Sequence, residues 1–506
     1  MDTSAVLIVG AGPAGLVTAI GLARHGIRPL VIERHPSTSA FPRATGVSTR
    51  SMEIFRTFGI DDEVRRGGWR VVPREATVTR LDDPSPVESP LGFPDDAATL
   101  AVSPVTAAIS PQDHLEPVLV NHLRTLGGEV RFSTELSSFR QDADGVTADL
   151  RDQRTGARSS LRVAYLVGAD GHRSTVRQGL GIAMQGPDDL GRYLSVLFRA
   201  DLREVLGERV YGLYMIQRPD GPPAVLVPSG ADDRYVLGLP LPPGMDEAAA
   251  LSAFPASRAV ALLRTVAARP GLEVDVLAMN AFAFAAQVAE RWGDRRVLLV
   301  GDAAHRMTPR GGRGMNTAIA DAHDLGWKLA WVVRGLAAPS LLDTYETERG
   351  PIGRRNVALS MEPDGGGSDD GLAEDLGPIS ARPGDRAPHV WVTIDGVRRS
   401  TLDLFGEALV LLVAGDGAPW TAAATDAGRS IPLRCVPIAD DAVAQAYGLE
   451  PGGAVLVRPD GIVAARSAGP VEATAFWLAG AIAGATGRAA RTVAAGRAVD
   501  AAAVAA

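Results

Sequence analysis

A chain of 506 residues with 46% hydrophobic and 22% charged content is an ordinary globular composition, long enough for two or three domains. Its net charge of -8 argues against nucleic acid as a partner, and no apolar run reaches the roughly 18 residues of a membrane span. One cysteine, Cys435, excludes an internal disulfide and a cysteine-based metal centre, and no metal site is expected.

The first residues run straight into a strand, so no signal peptide and a cytoplasmic location are expected. Residues 6–9 are apolar and lead into Gly10-Ala-Gly12-Pro13-Ala14-Gly15, a helix over 16–25 and a second strand ending at Glu33. This is the order of a dinucleotide fingerprint: glycines for the tight turn, the close approach of a pyrophosphate and helix–strand packing, then an acid about 20 residues on for a ribose. Arg34 is a candidate for adenine or the ribose 2′ side, and equally for plain solvation.

Residues 165–168 form another apolar strand ending in Ala-Asp170-Gly171. Residues 297–300 form a third, followed by Gly301, Asp302 and the loop Pro309-Arg310-Gly-Gly312-Arg313-Gly314-Met315-Asn316, with a helix expected from 317 to 333. A carboxylate at a strand end suits a chain of hydroxyls, and glycine N–H groups at a helix start suit an anion. Together these suit a flavin, with Asp302 on the ribityl chain and Gly314, Met315 and Asn316 facing the ring through their backbone.

These motifs resemble the flavoprotein monooxygenases of the para-hydroxybenzoate hydroxylase superfamily. Pro42-Arg43-Ala44, Arg50 to Glu53, Pro111-Gln112, Asp321 to Lys328 and Tyr345 to Arg349 extend the resemblance. Arg382 to Pro388, Ser400 to Gly406 and Val455 to Val463 narrow it to aromatic polyketide hydroxylases of the aklavinone type, enzymes of antibiotic biosynthesis. The resemblance implies a Rossmann-like α/β FAD-binding domain, an inserted, mostly antiparallel β-sheet substrate domain and a C-terminal thioredoxin-like α/β domain. The expected boundaries are 1–68, 110–182 and 286–361 for FAD, 69–109 and 183–285 for substrate, 362–378 as a linker and 379–506 for the tail. Strands are expected over 192–200, 211–218, 224–228 and 235–240, then one helix over 247–269.

The implied cofactor is non-covalent FAD, reduced by transient NADPH or NADH, with O2 giving a C4a-hydroperoxide that hydroxylates a polycyclic aromatic compound. Arg43 and Ala44 would meet the pyrophosphate, and Gln112 and Asp170 would join the cofactor site. No side-chain base is assigned; His172, His305 and Tyr193 are candidates by type alone. Arg310 and Arg313, where relatives more often carry neutral residues, would hold an acidic substrate or pair with local acids. Tyr214 and Phe282 are the candidate aromatic substrate contacts. The rivals are a Baeyer–Villiger or epoxidising monooxygenase and a flavin-bearing binding protein without turnover. A monomer or homodimer is expected. Gly480 and Gly484 look like helix-packing positions, and the tail, with no Cys-x-x-Cys, is expected to be redox-inert.

Overall fold

The computed structural model describes residues 5–488, except 70, 92–95, 220, 231–232, 243, 246, 363–375, 395 and 416. Most of the expected linker thus lies outside the described residues. The fold is mixed α/β. Its central sheet has six strands in the order Gly293–Asp294, Val297–Leu299, Tyr165–Gly168, Val6–Val9, Leu30–Ile32, Glu129–Arg131. All pairs are parallel except the first, which is antiparallel. The three motif-bearing strands are adjacent although the chain separates them widely: Val6 pairs with Tyr165, and Leu166 with Val297. Their unbroken apolar runs suit a parallel sheet buried on both faces.

Helix Pro13–Arg24 packs against helix Arg313–Val333 where Gly21 meets Gly326. A Cβ on Gly21 would lie 3.1 Å from the Gly326 Cα, so only small residues allow this approach. The long helix begins at Arg313 rather than 317, because Gly311 and Gly312 (φ 71° and 60°) reverse the chain just before it. Gly314, Met315 and Asn316 therefore form its first turn instead of a loop.

A second sheet of seven strands runs Asp275–Ala283, Arg192–Arg199, Arg234–Leu241, Gly221–Pro228, Tyr211–Arg218, Val72–Val78, Val87–Pro90. It is antiparallel except where Tyr211–Arg218 meets Val72–Val78 in parallel. One face is sealed by Ala259, Leu263 and Val266 over Leu194, Val196, Leu237 and Leu239. The helix expected over 247–269 is two helices, Glu247–Ala253 and Ala256–Val266. Pro255 divides them, lacking an N–H and forcing its predecessor out of helical geometry.

The tail forms a four-stranded sheet in the order Leu433–Ile438, Leu409–Ala414, Ala454–Val457, Val463–Ser467. Helices Ala418–Ala427, Asp441–Ala446 and Thr474–Thr486 accompany it. Among the described residues nothing packs closely at Gly480 or Gly484: a Cβ on either would meet nothing within 4 Å. No helix among the described residues is long and apolar enough to cross a membrane.

Candidate active site

The first three glycines answer to different constraints. A Cβ on Gly10 (φ 107°) would lie 2.3 Å from the Ala169 carbonyl oxygen, and one on Gly15 would lie 2.0 Å from that of Gly10. A Cβ on Gly12 would meet nothing within 4 Å. Gly10 and Gly15 are thus required by packing, while Gly12 borders open space at the start of helix Pro13–Arg24, whose buried first turn holds Ala14. Such a helix start directs unpaired N–H groups at an anion. Glu33 closes the turn, accepting from Ala11 N at 3.0 Å and His35 N at 2.9 Å. Arg34 is exposed, with its Nε 3.4 Å from His35 Nε2.

Arg43 is exposed, and the Ala44 carbonyl accepts from Gln112 N at 2.9 Å. The Gln112 side chain turns along its own helix and donates to Glu116 Oε1 at 2.6 Å, while Ser39 N donates to Glu116 Oε2 at 2.7 Å. Burial raises the Glu116 pKa against those bonds and the charge of Arg43. Asp170 braces its own turn. Its Oδ1 accepts from Ser174 Oγ at 2.5 Å and its Oδ2 from Val176 N at 3.1 Å, so the carboxylate holds the turn whose Ala169 carbonyl faces Gly10.

Asp302 stands exposed in the turn Gly301–Ala303. Gly301 (φ 65°) presses this turn against the first helix, since a Cβ there would lie 2.9 Å from the Ala14 Cβ. His172, on the neighbouring turn, has its pKa lowered by burial, then by Arg306, Arg173 and Arg43, with Asp302 opposing. Residues from three distant segments thus share one electrostatic neighbourhood.

Pro309 leads into the turn Arg310–Gly312, where Pro309, Arg310 and Gly312 are exposed. Arg313 follows, half-buried at the helix start. Asn316 contributes more than its backbone. Its Oδ1 accepts from Ser48 N (2.9 Å) and Ser51 Oγ (2.8 Å), and its Nδ2 donates to Gly46 O (3.1 Å) and Gly312 O (2.8 Å). One amide therefore ties the glycine turn to the segment following Arg43. Behind the turn, His305 Nε2 lies 2.6 Å from Asp321 Oδ2, and Arg349 Nε donates to Asp321 Oδ1 at 2.6 Å. His305 and Asp321 are fully buried, so His305 is a brace and not an accessible base. Asp321 and Arg349 stood in motifs read from the sequence, but their spacing of 28 residues hid the pairing.

On the seven-stranded sheet, Tyr214 is misassigned as a substrate contact. It fills the helix-covered core, and its hydroxyl accepts from Tyr211 N at 3.0 Å. Strand alternation sends it to the same side as Ile216 and away from Met215. Phe282 lies on the opposite face, directly across from Tyr193. Tyr193 stacks on Phe284 with ring centres 4.5 Å apart, and Phe282 stands 5.3 Å from Phe284. Phe284 was not foreseen, because it falls just beyond the strand end at Ala283.

The open space at Gly12, the N–H groups of two helix starts and the carboxylates of Glu33 and Asp302 fit a dinucleotide carrying a polyhydroxyl chain. Comparison with known proteins agrees. Residues 3–360 match the family described as "FAD binding domain", and residues 380–489 match "Aromatic-ring hydroxylase, C-terminal". Aklavinone 12-hydroxylase DnrF of Streptomyces peucetius is 39% identical over 462 residues, spanning 82% of this chain and 92% of that protein. A crystal structure of the flavin-dependent monooxygenase PieE with FAD and substrate superposes with a TM-score of 0.87 at 30% identity, covering 96% of this chain and 99% of that one. A ternary complex of aklavinone-11 hydroxylase with FAD and aklavinone superposes with a TM-score of 0.86 at 35% identity, covering 96% and 100%.

Proposed function

Since the chain belongs to the FAD-binding aromatic-ring hydroxylases, we propose that it is a monooxygenase using FAD, NAD(P)H and O2 to hydroxylate a fused-ring aromatic polyketide. The observation that carries this reading is the convergence of the three strand-end turns: Gly10 lies against Ala169 and Gly301 against Ala14, while Asn316 ties the glycine turn before Arg313 to Gly46 and Ser48, a few residues past Arg43. Bound FAD supplies electron acceptance from the nicotinamide and activation of oxygen.

The chain's own residues bind, orient and exclude water. The first turn of Pro13–Arg24 and Arg43 would take the pyrophosphate, Glu33 the adenosine ribose and Asp302 the ribityl hydroxyls. The N–H groups of Gly314, Met315 and Asn316 would stabilise negative charge on the reduced ring without reorganising, because Asn316 already fixes their turn. Arg310 and Arg313 flank that turn and would favour a phenolate or carboxylate on the substrate.

We further read the six-stranded unit as Rossmann-like, the seven-stranded sheet as the substrate domain and the tail as thioredoxin-like. The β-α-β-α-β-β-α succession of the tail supports the last point. With Cys435 its only thiol, the tail has no dithiol and serves structure or dimerisation. The test is to purify the protein, measure one FAD per chain and look for NADPH-dependent addition of one oxygen atom to hydroxyanthraquinones. A folded protein that binds no FAD, or turns over NADPH without ever oxygenating such a compound, would refute the reading.

A further inference from the structure

The face of the seven-stranded sheet that the helices leave uncovered carries a feature that folding alone does not require. Gly238 sits mid-strand in Arg234–Leu241, outside the set of positive-φ glycines. A Cβ there would make ordinary contacts, 3.6 Å to the Val225 Cβ and 3.9 Å to the Tyr193 ring. Neither backbone conformation nor packing therefore demands glycine. A glycine inside a strand weakens it, and one without a local reason marks a place where something else approaches the backbone.

Its neighbours across the sheet share this face. Gly238 is opposite Ser195, and Ser195 is opposite Asn280. Tyr193, Phe282 and Phe284 form an aromatic wall along one side. The Asn280 Oδ1 is shielded from water and has no hydrogen-bond partner. A buried amide oxygen without a donor is unfavourable, and rotation about the Asn280 side chain would offer its amide to the open side. The strand bearing Phe282 continues to Gln287–Ala289, which pairs with His305–Arg306 immediately before the glycine turn. At the other end of the sheet, Arg234 Nη1 meets Asp113 Oδ2 at 2.7 Å beside Gln112. These ties join the sheet to the segment that leads into the glycine turn and to the helix that begins at Gln112.

We infer that Gly238 and Ser195 form the seat on which a flat fused-ring substrate lies against Tyr193 and Phe282, and that the Asn280 amide selects rings bearing a hydroxyl beside a carbonyl. The amide offers one acceptor and one donor, which matches that pair of substituents. This inference rests on the hydroxylase reading for its substrate class.

The test titrates the FAD-loaded full chain with 1,8-dihydroxyanthraquinone and its dimethyl ether, following the flavin absorbance. The wild type is expected to bind the dihydroxy compound about tenfold more tightly, equivalent to ~1.4 kcal/mol. Asn280→Leu should erase that preference with FAD content unchanged. Gly238→Val should weaken both probes about tenfold while its melting temperature holds or rises, since the strand gains a β-former. Asn280→Ser carries the same test where the leucine variant fails to fold. A preference that survives at position 280, normal binding by Gly238→Val, or a wild type that binds neither probe overturns the inference. Product analysis alongside separates the two readings. The expected binding pattern without oxygen insertion sinks the hydroxylase reading alone. Oxygen insertion unaltered by either substitution sinks the seat alone.

Discussion

The Oδ1 of Asn316 accepts the backbone N–H of Ser48 at 2.9 Å, joining two parts of the chain 268 residues apart. The same side chain serves Ser51, Gly46 and Gly312. Asn316→Leu keeps the volume and removes all four bonds. Each buried group left without a partner costs about 1–3 kcal/mol. The expected result is a lower melting temperature together with weaker FAD binding, read by thermal unfolding with and without added FAD. Unchanged affinity in a destabilised variant would mean that the staple serves folding only.

The glycines near the N-terminus separate folding from binding. Gly12→Val places its side chain in open space, so the protein should fold and melt normally while FAD binding is lost. Gly15→Ala puts a Cβ 2.0 Å from the Gly10 carbonyl oxygen, so the whole turn should fail. Circular dichroism and apoprotein titration distinguish the two. Normal FAD affinity in Gly12→Val would show that the pyrophosphate does not approach there.

How much of this was legible in the sequence follows from the range of the signal. The strands at 6–9, 165–168 and 297–299 were readable because buried parallel strands are continuous apolar runs, and the glycines because a turn has few chemical solutions. The Asn316 staple and the Asp321–Arg349 pair were not, because a side chain's partner across hundreds of residues leaves no local pattern. Tyr214 was misplaced by sheet facing: alternation reveals two faces but not which of them a helix will cover. The helix start at Arg313 was missed because two consecutive left-handed glycines make a tighter turn than a glycine-rich loop suggests.

Two buried histidines should each cost the fold stability on mild acidification. Burial lowers the pKa of His25 to about 4 and that of His323 to about 3. Both bind protons more weakly folded than unfolded, so their stabilising effect is complete above the free value of about 6.5 and declines as pH drops toward 4 and 3. Within that window each group steepens the loss by up to about 1.36 kcal/mol per pH unit. His323 also packs edge-on against Phe58 with ring centres 5.9 Å apart. His323→Leu should flatten the acid limb of a stability–pH curve measured by urea unfolding. An unchanged slope between pH 6.5 and 4 would assign the acid sensitivity to other groups.

Cys435 is half-buried, with its Sγ 3.8 Å from Thr421 Oγ1, and burial raises its pKa, away from a reactive thiolate. Cys435→Ser should leave NADPH oxidation and product yield intact. A stable serine variant with a large loss of turnover would give the tail a redox part.

The tail is fastened to the long helix of the cofactor groove by buried charge. Arg458 donates to Glu348 at 2.9 and 2.7 Å, to Asp324 at 3.3 Å and to Asp460 at 2.5 Å, and its guanidinium lies 5.4 Å from the Trp327 ring centre. Trp327 Nε1 in turn donates to Asp460 at 3.1 Å. Lys328, the only lysine of the chain, is fully buried, with its Nζ 2.9 Å from Asp324 and 3.2 Å from Glu348. Burial pushes Asp324 up to about 7 even beside that lysine, so the cluster depends on its cations to keep its acids charged. Arg458→Met keeps an apolar stem of similar length and removes the guanidinium with its charge and its hydrogen bonds. Removing one partner from a buried pair typically costs about 3–5 kcal/mol, because the remaining charge is stranded. The expected outcome is a large drop in the melting temperature of the whole chain. Asp460→Asn added to Arg458→Met should recover part of that loss, because it withdraws one of the stranded acids. If Arg458→Met melts within a degree of the wild type, apolar contacts alone hold the tail to the helix, and the charges are not what fastens it.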